Sequence, residues 1–278
     1  MSKLLSANLS RLMKNRLFIL LTAGVFLFSA YLMICSIRAD IKYDCGDVLE
    51  YRFYDSLPYA GLLLSAFISL FIGTELSDGT IRNKIAVGHT RRDIYFADLI
   101  TCSAAATVFF AAWVLGGMVG VPHFGLWSTG IKSNLIVIAV AYFSMLALTA
   151  IFSILAHSIQ SRAVGAVAAI FLSIFIIYGG SYFYNSLSEP ETCYEYIRIT
   201  EEGTVEYGDE MPNPAYVGEP ERAVYEVLSH VFPSGQQIRI ADNYGEIEQP
   251  AFMIVCSIGV TVIAAAAGYL LFRKKDLK

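Results

Sequence analysis

A helix needs about 20 mostly apolar residues to cross about 30 Å of hydrocarbon. Six stretches of this 278-residue chain meet that length: residues 17–37, 57–74, 95–121, 135–156, 163–182 and 251–272. Hydrocarbon offers no partners to backbone N–H and C=O groups, so apolar runs of this length must be helices. Composition agrees. The chain is 56% hydrophobic and 16% charged, whereas soluble domains average about 45–50% apolar and about 25% charged. Disorder, a collagen-like repeat and nucleic-acid binding are excluded, and a soluble enzyme fits poorly. The expected fold class is an all-α membrane protein with six transmembrane helices.

The Lys/Arg bias of short flanks sets orientation. With the N-terminus inside, the inner segments hold 13 of the 20 basic residues and five acidic ones, a balance of +8, and the outer side carries −12. The opposite orientation breaks the rule at every short loop. The expectation is N-in, C-in. A cleaved signal peptide would need an apolar run of about 7–15 residues before a small-residue cleavage site. The run at 17–37 is longer, and no A-x-A follows it.

Ahead of the first span, residues 2–16 place Leu5, Leu9, Leu12 and Met13 at helical spacing, with Lys3, Arg11 and Lys14 around them. That pattern suits a helix lying in the cytoplasmic interface. The large excursion between spans five and six, residues 183–250, carries 14 acidic and three basic residues. Within it, segments 193–200 and 204–207 flank Glu201-Glu202-Gly203 and predict a β-hairpin. Residues 219–232 predict a helix whose apolar stripe is Val224, Val227, Leu228 and Val231, ended by Pro233-Ser234-Gly235. The stripe is expected to bury itself on the outer span ends. Together these make a small α+β extracytoplasmic domain. Segment 1–182 then holds the interfacial helix and spans one to five, and 251–278 holds span six and a basic tail.

Cys35, Cys102 and Cys256 fall within spans as packing residues. Cys45 and Cys193 both fall on the oxidising side, a candidate disulfide. Gly116, Gly120, Ala264, Ala267 and Gly268 offer small faces where helices can approach closely, within the subunit or between copies.

Several chemistries are missing. There is no G-x-x-x-x-G-K-[ST], no G-x-S-x-G and no H-E-x-x-H. His89, His123, His157 and His230 lack metal-ligand spacing and are expected to be solvated or interfacial, so no metal site is assigned. The middles of all six spans lack ionisable residues, which argues against ion-driven transport. Asp98, at the inner end of the third span, is expected to pair with a basic loop. Any use of ATP requires a separate subunit.

One inner loop has its own pattern. Residues 73–100 read GTELSDGTIRNKIAVGHTRRDIYFADLI. Glu75 closes the second span, and Asp78-Gly79 signals a turn. Residues 80–87 predict a short helix with Ile81, Lys84 and Ile85 one turn apart and Arg82 and Asn83 on other faces. Gly88 ends it, and Thr90 can cap the third span. The element is a stiff helix hung between glycine corners, able to move as a unit. An ordinary basic loop held at lipid headgroups is the competing reading.

This loop resembles the signature of ABC transporter permeases of the type-2 exporter family: a glutamate after the second span, then Gly79-Thr80-Ile81-Arg82, then Gly88 and Arg91. The N-terminal helix resembles that family's connecting helix. The outer segment from Asn213-Pro214-Ala215-Tyr216 through Arg222, Tyr225-Glu226 and Phe232-Pro233-Ser234-Gly235-Gln236 resembles the outer domain of Gram-positive members. The outer excursion departs in length, since many members carry only short re-entrant helices there.

The resemblance implies a permease subunit of an ATP-driven exporter in the bacterial cytoplasmic membrane, multi-pass, with both termini cytoplasmic. It implies a coupling helix within loop 75–94, with Glu75, Asp78, Gly79, Thr80, Ile81, Arg82, Asn83, Lys84, Gly88 and Arg91 as ATPase-coupling residues. Glu75 would anchor a helix end or pair with a basic residue, and Arg82 would contact the ATPase. The implied partners are an ABC ATP-binding subunit in two copies and a second permease copy or paralogue, within the lipid bilayer. ATP and Mg would sit on the ATPase, with no cofactor or catalytic residue in this chain. The substrate classes are a peptide, an antibiotic or another amphiphile. The alternative is a sensor or resistance component that binds an extracellular peptide without transporting it.

Overall fold

The computed structural model describes residues 1–199 and 205–276. Among them, six helices are long and apolar enough to cross a membrane. The chain opens with α1 (Ser2–Met13), α2 (Arg16–Tyr43), the short α3 (Glu50–Phe53), α4 (Leu57–Ser77), α5 (Thr80–Ala86) and α6 (Arg91–Gly117). Next come the short α7 (Val121–Phe124), α8 (Ile131–Ser158) and α9 (Arg162–Ser188). Strands β1 (Thr192–Tyr194), β2 (Ile197–Ile199), β3 (Val205–Tyr207) and β4 (Glu210–Pro212) follow, then α10 (Glu221–Val231), α11 (Pro233–Asp242) and α12 (Pro250–Lys274). The spans are α2, α4, α6, α8, α9 and α12.

Local chemistry sets the helix starts. The Asn15 side chain accepts from Phe18 N, Thr90 Oγ1 from Asp93 N at 3.1 Å, and Ser161 Oγ from Val164 N. Each satisfies one of the orphan donors of a first turn. Pro58 and Pro250 occupy first turns, where the missing N–H has no cost.

Burial sorts the spans into two groups. Half or more of the apolar stretch of α4, α6 and α8 is buried, against a third or less in α2, α9 and α12. The inner three form the core, where the rings of Phe67 of α4 and Phe109 of α6 lie 5.8 Å apart and both meet Phe18 of α2, which stacks on Phe109. The outer three expose Leu20, Leu27, Phe171, Phe175, Val262 and Ile263. Such faces are suited to hydrocarbon, which solvates them as well as a core does. The small residues serve packing inside the chain. A Cβ on Gly116 would lie 2.7 Å from Phe26 O of α2. Gly120 abuts Met33 and Leu49, and Gly268 abuts the Tyr95 hydroxyl.

The structure corrects four expectations. In α1 the packed face is Leu4, Asn8 and Leu12, and Met13 is exposed, because α1 folds against α6 with a polar residue at the centre of its stripe. In α10, Val224 and Val227 are exposed rather than buried. The face that packs on α9 is aromatic, with Phe183 5.2 Å from Tyr225 and 5.8 Å from Phe232. A Cβ on Gly180 would lie 2.5 Å from Gly235 N, so the α10–α11 corner is pressed onto α9 and α10 is rotated accordingly.

Third, Pro233-Ser234-Gly235 does not only end α10. It starts α11, which re-enters the bundle against α8 and α9. Most of its buried amide groups find partners there. Gln236 Nε2 donates to His230 O and Met253 O and its Oε1 accepts from Ser257, while Gln237 Nε2 donates to Ser144 Oγ at 3.0 Å. Fourth, His157 and His230 are buried, not solvated. His230 Nδ1 donates to Glu226 O and its Nε2 accepts from Arg239.

The expected hairpin is a longer ribbon. β1 pairs antiparallel with β4 (Cys193↔Met211) and β2 with β3 (Arg198↔Glu206). The turn expected at Glu201-Glu202-Gly203, with Thr200 and Thr204, lies outside the described residues, as does Lys278 of the basic tail. Cys45 and Cys193 are free thiols, so the candidate bridge is not formed.

Candidate functional site

The loop with the distinctive pattern folds into α5, as its spacing predicts. Gly79 and Gly88 bracket it with φ of +70° and +100°, a region in which residues with a Cβ are strained. These corners let seven helical residues turn back between α4 and α6. The helix has two unlike faces. Ile81 is buried and Lys84 and Ile85 are half-buried, whereas Arg82, Asn83, Ala86 and Gly88 are exposed and Val87 is 81% exposed.

The inner face is locked by ions. Glu75, in the last turn of α4, is 2% exposed. Lys84 Nζ donates to its two carboxylate oxygens at 2.6 and 2.7 Å. Arg11 of α1 also pairs with Glu75, and its guanidinium lies 3.8 Å from the centre of the Phe71 ring. Lys84 further donates to Asn8 Oδ1 at 3.2 Å, and Asn8 Nδ2 donates to Asp98 Oδ1 at 2.7 Å. Asp98, fully buried in α6, meets His157 Nε2 of α8 at 3.2 Å. His157 Nδ1 lies 2.8 Å from Ser153 O, which can only accept. The two carboxylates, Glu75 and Asp98, are matched in charge by the two cations, Lys84 and Arg11, as burial of charge requires.

The same end is tied to α12. Arg91 Nη1 donates to Phe272 O, Arg273 O and Lys275 O, capping carbonyls left open at the helix end. Lys275 Nζ donates to His157 O at 2.7 Å, and burial pushes its ammonium below the usual lysine range. Elements α1, α4, α5, α6, α8 and α12 thus share one polar network.

The sequence-predicted residues divide accordingly. Glu75, Ile81 and Lys84 face inward and are committed to packing and ion pairs within the chain, and Arg91 is committed to the end of α12. They position α5. Arg82, Asn83 and Gly88 face outward, joined by Ala86 and Val87. Asp78 is exposed at the end of α4, and Thr80 is the half-buried first residue of α5. The Arg82 guanidinium folds back over Gly79 and lines a groove of about 290 Å³ with Ser77, Gln160 and Ser161, next to the α8–α9 turn. Asn8, Arg11 and His157 were not identifiable as members of this site. Their only sequence signal is a polar or basic residue on an otherwise apolar helix face.

A family model for the ABC-2 family transporter protein matches residues 57–277, from α4 through α12. No curated protein matches the chain. A match over most of the sequence, on six apolar spans with a glycine-bracketed helix between the second and third, means that this chain belongs to the ABC-2 transporter family as a multi-pass membrane permease.

Proposed function

We propose that the chain is the membrane subunit of an ATP-driven exporter and that α5 is its coupling helix. Membership of an ABC transporter family implies partnership with an ATP-binding subunit, and the permease itself is not the catalyst. The reading places both termini and α5 in the cytoplasm, following the Lys/Arg bias. It sets two ATPase subunits beneath two permease copies, or one copy and a paralogue, with ATP and Mg on the ATPases.

The observation that supports it is the split of α5. Its inner face is tied by Lys84 to Glu75 and through Asn8 to Asp98, so a push on the helix is passed to α4, α6 and α8. Its outer face leaves the side chains of Arg82, Asn83, Ala86 and Val87 exposed, without hydrogen-bond partners among the described residues. A bundle whose spans carry no midplane charge needs such an external drive.

The test pairs the chain with its ATPase. Arg82→Glu combined with Val87→Asp should leave membrane insertion intact, abolish co-purification of the ATPase, and stop ATP-dependent accumulation of substrate in inside-out vesicles. Full transport and full complex formation by the double variant would overturn the coupling role.

A further inference from the structure

At the bundle end opposite α5, three segments converge on a cleft of about 260 Å³. Its lining includes Glu50 and Tyr51 of α3, Ser128 and Thr129 of the α7–α8 connection, and Tyr244 and Glu246 of the α11–α12 connection. The walls are built, not incidental. Tyr54 Oη donates to Asn134 Oδ1 at 2.5 Å, and Asn134 Nδ2 donates to Thr129 Oγ1 at 2.7 Å. Thr129 Oγ1 then donates to Glu50 Oε1 at 3.2 Å. The Tyr51 and Tyr244 rings lie 4.6 Å apart on the other wall.

Glu50 is 2% exposed, yet only one of its oxygens is satisfied. Oε1 accepts from Ser128 Oγ, Thr129 N and Thr129 Oγ1. Oε2 is buried without a partner, and among the described residues no cationic side chain lies within 4.0 Å of the carboxylate. A buried carboxylate is ordinarily paired or coordinated.

We propose that this cleft binds a primary ammonium group, held between the Glu50 and Glu246 carboxylates and the faces of Tyr51 and Tyr244. Three features select that chemistry. A metal ion is disfavoured because, among the described residues, no three His, Cys, Asp or Glu side chains converge to hold one. A guanidinium would need both oxygens of a carboxylate for its fork, and Oε1 already holds three donors. A quaternary ammonium suits the aromatic wall but has no N–H for Oε2. An ammonium is a compact three-donor charge that fits one free oxygen, the rim carboxylate and the rings. The group is carried either by a lysine side chain or terminal amine of a peptide, or by an aminophospholipid headgroup. In the proposed orientation the cleft opens to the outside. Binding there does not depend on the coupling reading.

The test uses the full chain purified in detergent, with thermal unfolding followed by tryptophan fluorescence. Trilysine should raise the melting temperature of the wild type, while tetramethylammonium and calcium chloride at equal concentration should not. Glu246→Gln, an exposed rim substitution that leaves the fold intact, should weaken trilysine about tenfold, as loss of one charge-assisted contact does. Glu50→Gln should remove the shift. A second arm compares nanodiscs of phosphatidylcholine with and without phosphatidylethanolamine. Stabilisation by trilysine alone identifies a peptide source, and by phosphatidylethanolamine alone a headgroup source. The proposal is overturned if neither stabilises, if Glu246→Gln binds like wild type, or if calcium reproduces the shift.

Discussion

Lys84 in α5 donates to both carboxylate oxygens of Glu75, nine residues earlier in α4, at 2.6 and 2.7 Å. That pair closes the glycine-cornered turn on itself and fixes α5 to the end of the second span. Because Glu75 is 2% exposed, the pair is screened little by solvent or salt.

Lys84→Met should therefore cost about 3 kcal/mol, the lower range for breaking a buried pair, since Arg11 still faces Glu75. Thermal unfolding in detergent reads this directly. A melting curve equal to wild type would show that Arg11 alone neutralises Glu75. Combining Lys84→Met with Glu75→Gln should recover part of the loss, because no uncompensated carboxylate then remains.

Asp98 is a hydrogen-bond hub, and its replacements should rank by hydrogen bonding. In Asp98→Asn the amide oxygen still accepts from Asn8 and the amide nitrogen donates to a neutral His157. Loss should stay near 1 kcal/mol. Asp98→Leu strands both partners in a buried setting and should cost about 3 kcal/mol or more. Equal melting temperatures for the two variants would show that Asp98 is not such a hub.

Gly268 presses on the Tyr95 hydroxyl, whereas Gly259 of the same helix has open space around it. Gly268→Ala should destabilise by about 1–3 kcal/mol through overpacking, and Tyr95→Phe should relieve most of that. Gly259→Ala should be near neutral. Unfolding measurements on the four variants decide it. Loss of dimer without loss of stability in Gly268→Ala would instead place this face between copies.

Cys45 is an exposed thiol at the end opposite α5, and Cys102 is buried. With α5 in the cytoplasm, a membrane-impermeant maleimide applied to intact cells should label Cys45 without prior reduction and leave Cys102 unlabelled. Labelling of Cys45 only after permeabilisation would invert the orientation and remove α5 from reach of an ATPase.

The spans, the α5 corner and the reading of the family were legible because each rests on local chemistry. A run of apolar residues has a length, a glycine pair brackets a turn, and a threonine caps the helix beside it. The inward set Ile81, Lys84 and Ile85 and the outward set Arg82 and Asn83 follow from helical spacing alone. The direction of the α10 stripe did not, because its rotation is set by Gly180 meeting Gly235 across two elements. The re-entry of α11 was hidden for a similar reason. Its buried Gln236 and Gln237 look like exposed residues until Ser144, Ser257 and Met253 O are known to receive them.

From its amino acids alone, then, the chain specifies six membrane helices, a charge bias that orients them, and a hinged knuckle between the second and third. Only the tertiary structure decided which residues hold that knuckle and that, among the described residues, Glu50 Oε2 lacks a partner while Oε1 is held by Ser128 and Thr129. Asn8 and Asp98 are 90 residues apart, and Glu50 and Thr129 are 79 apart. Spans that are apolar on every side carry almost no polarity signal for which face meets which neighbour, since lipid and protein interior are equally good solvents for them. Side-chain shape and close backbone approach make that choice, and with it the polar contacts on which the proposed functions depend.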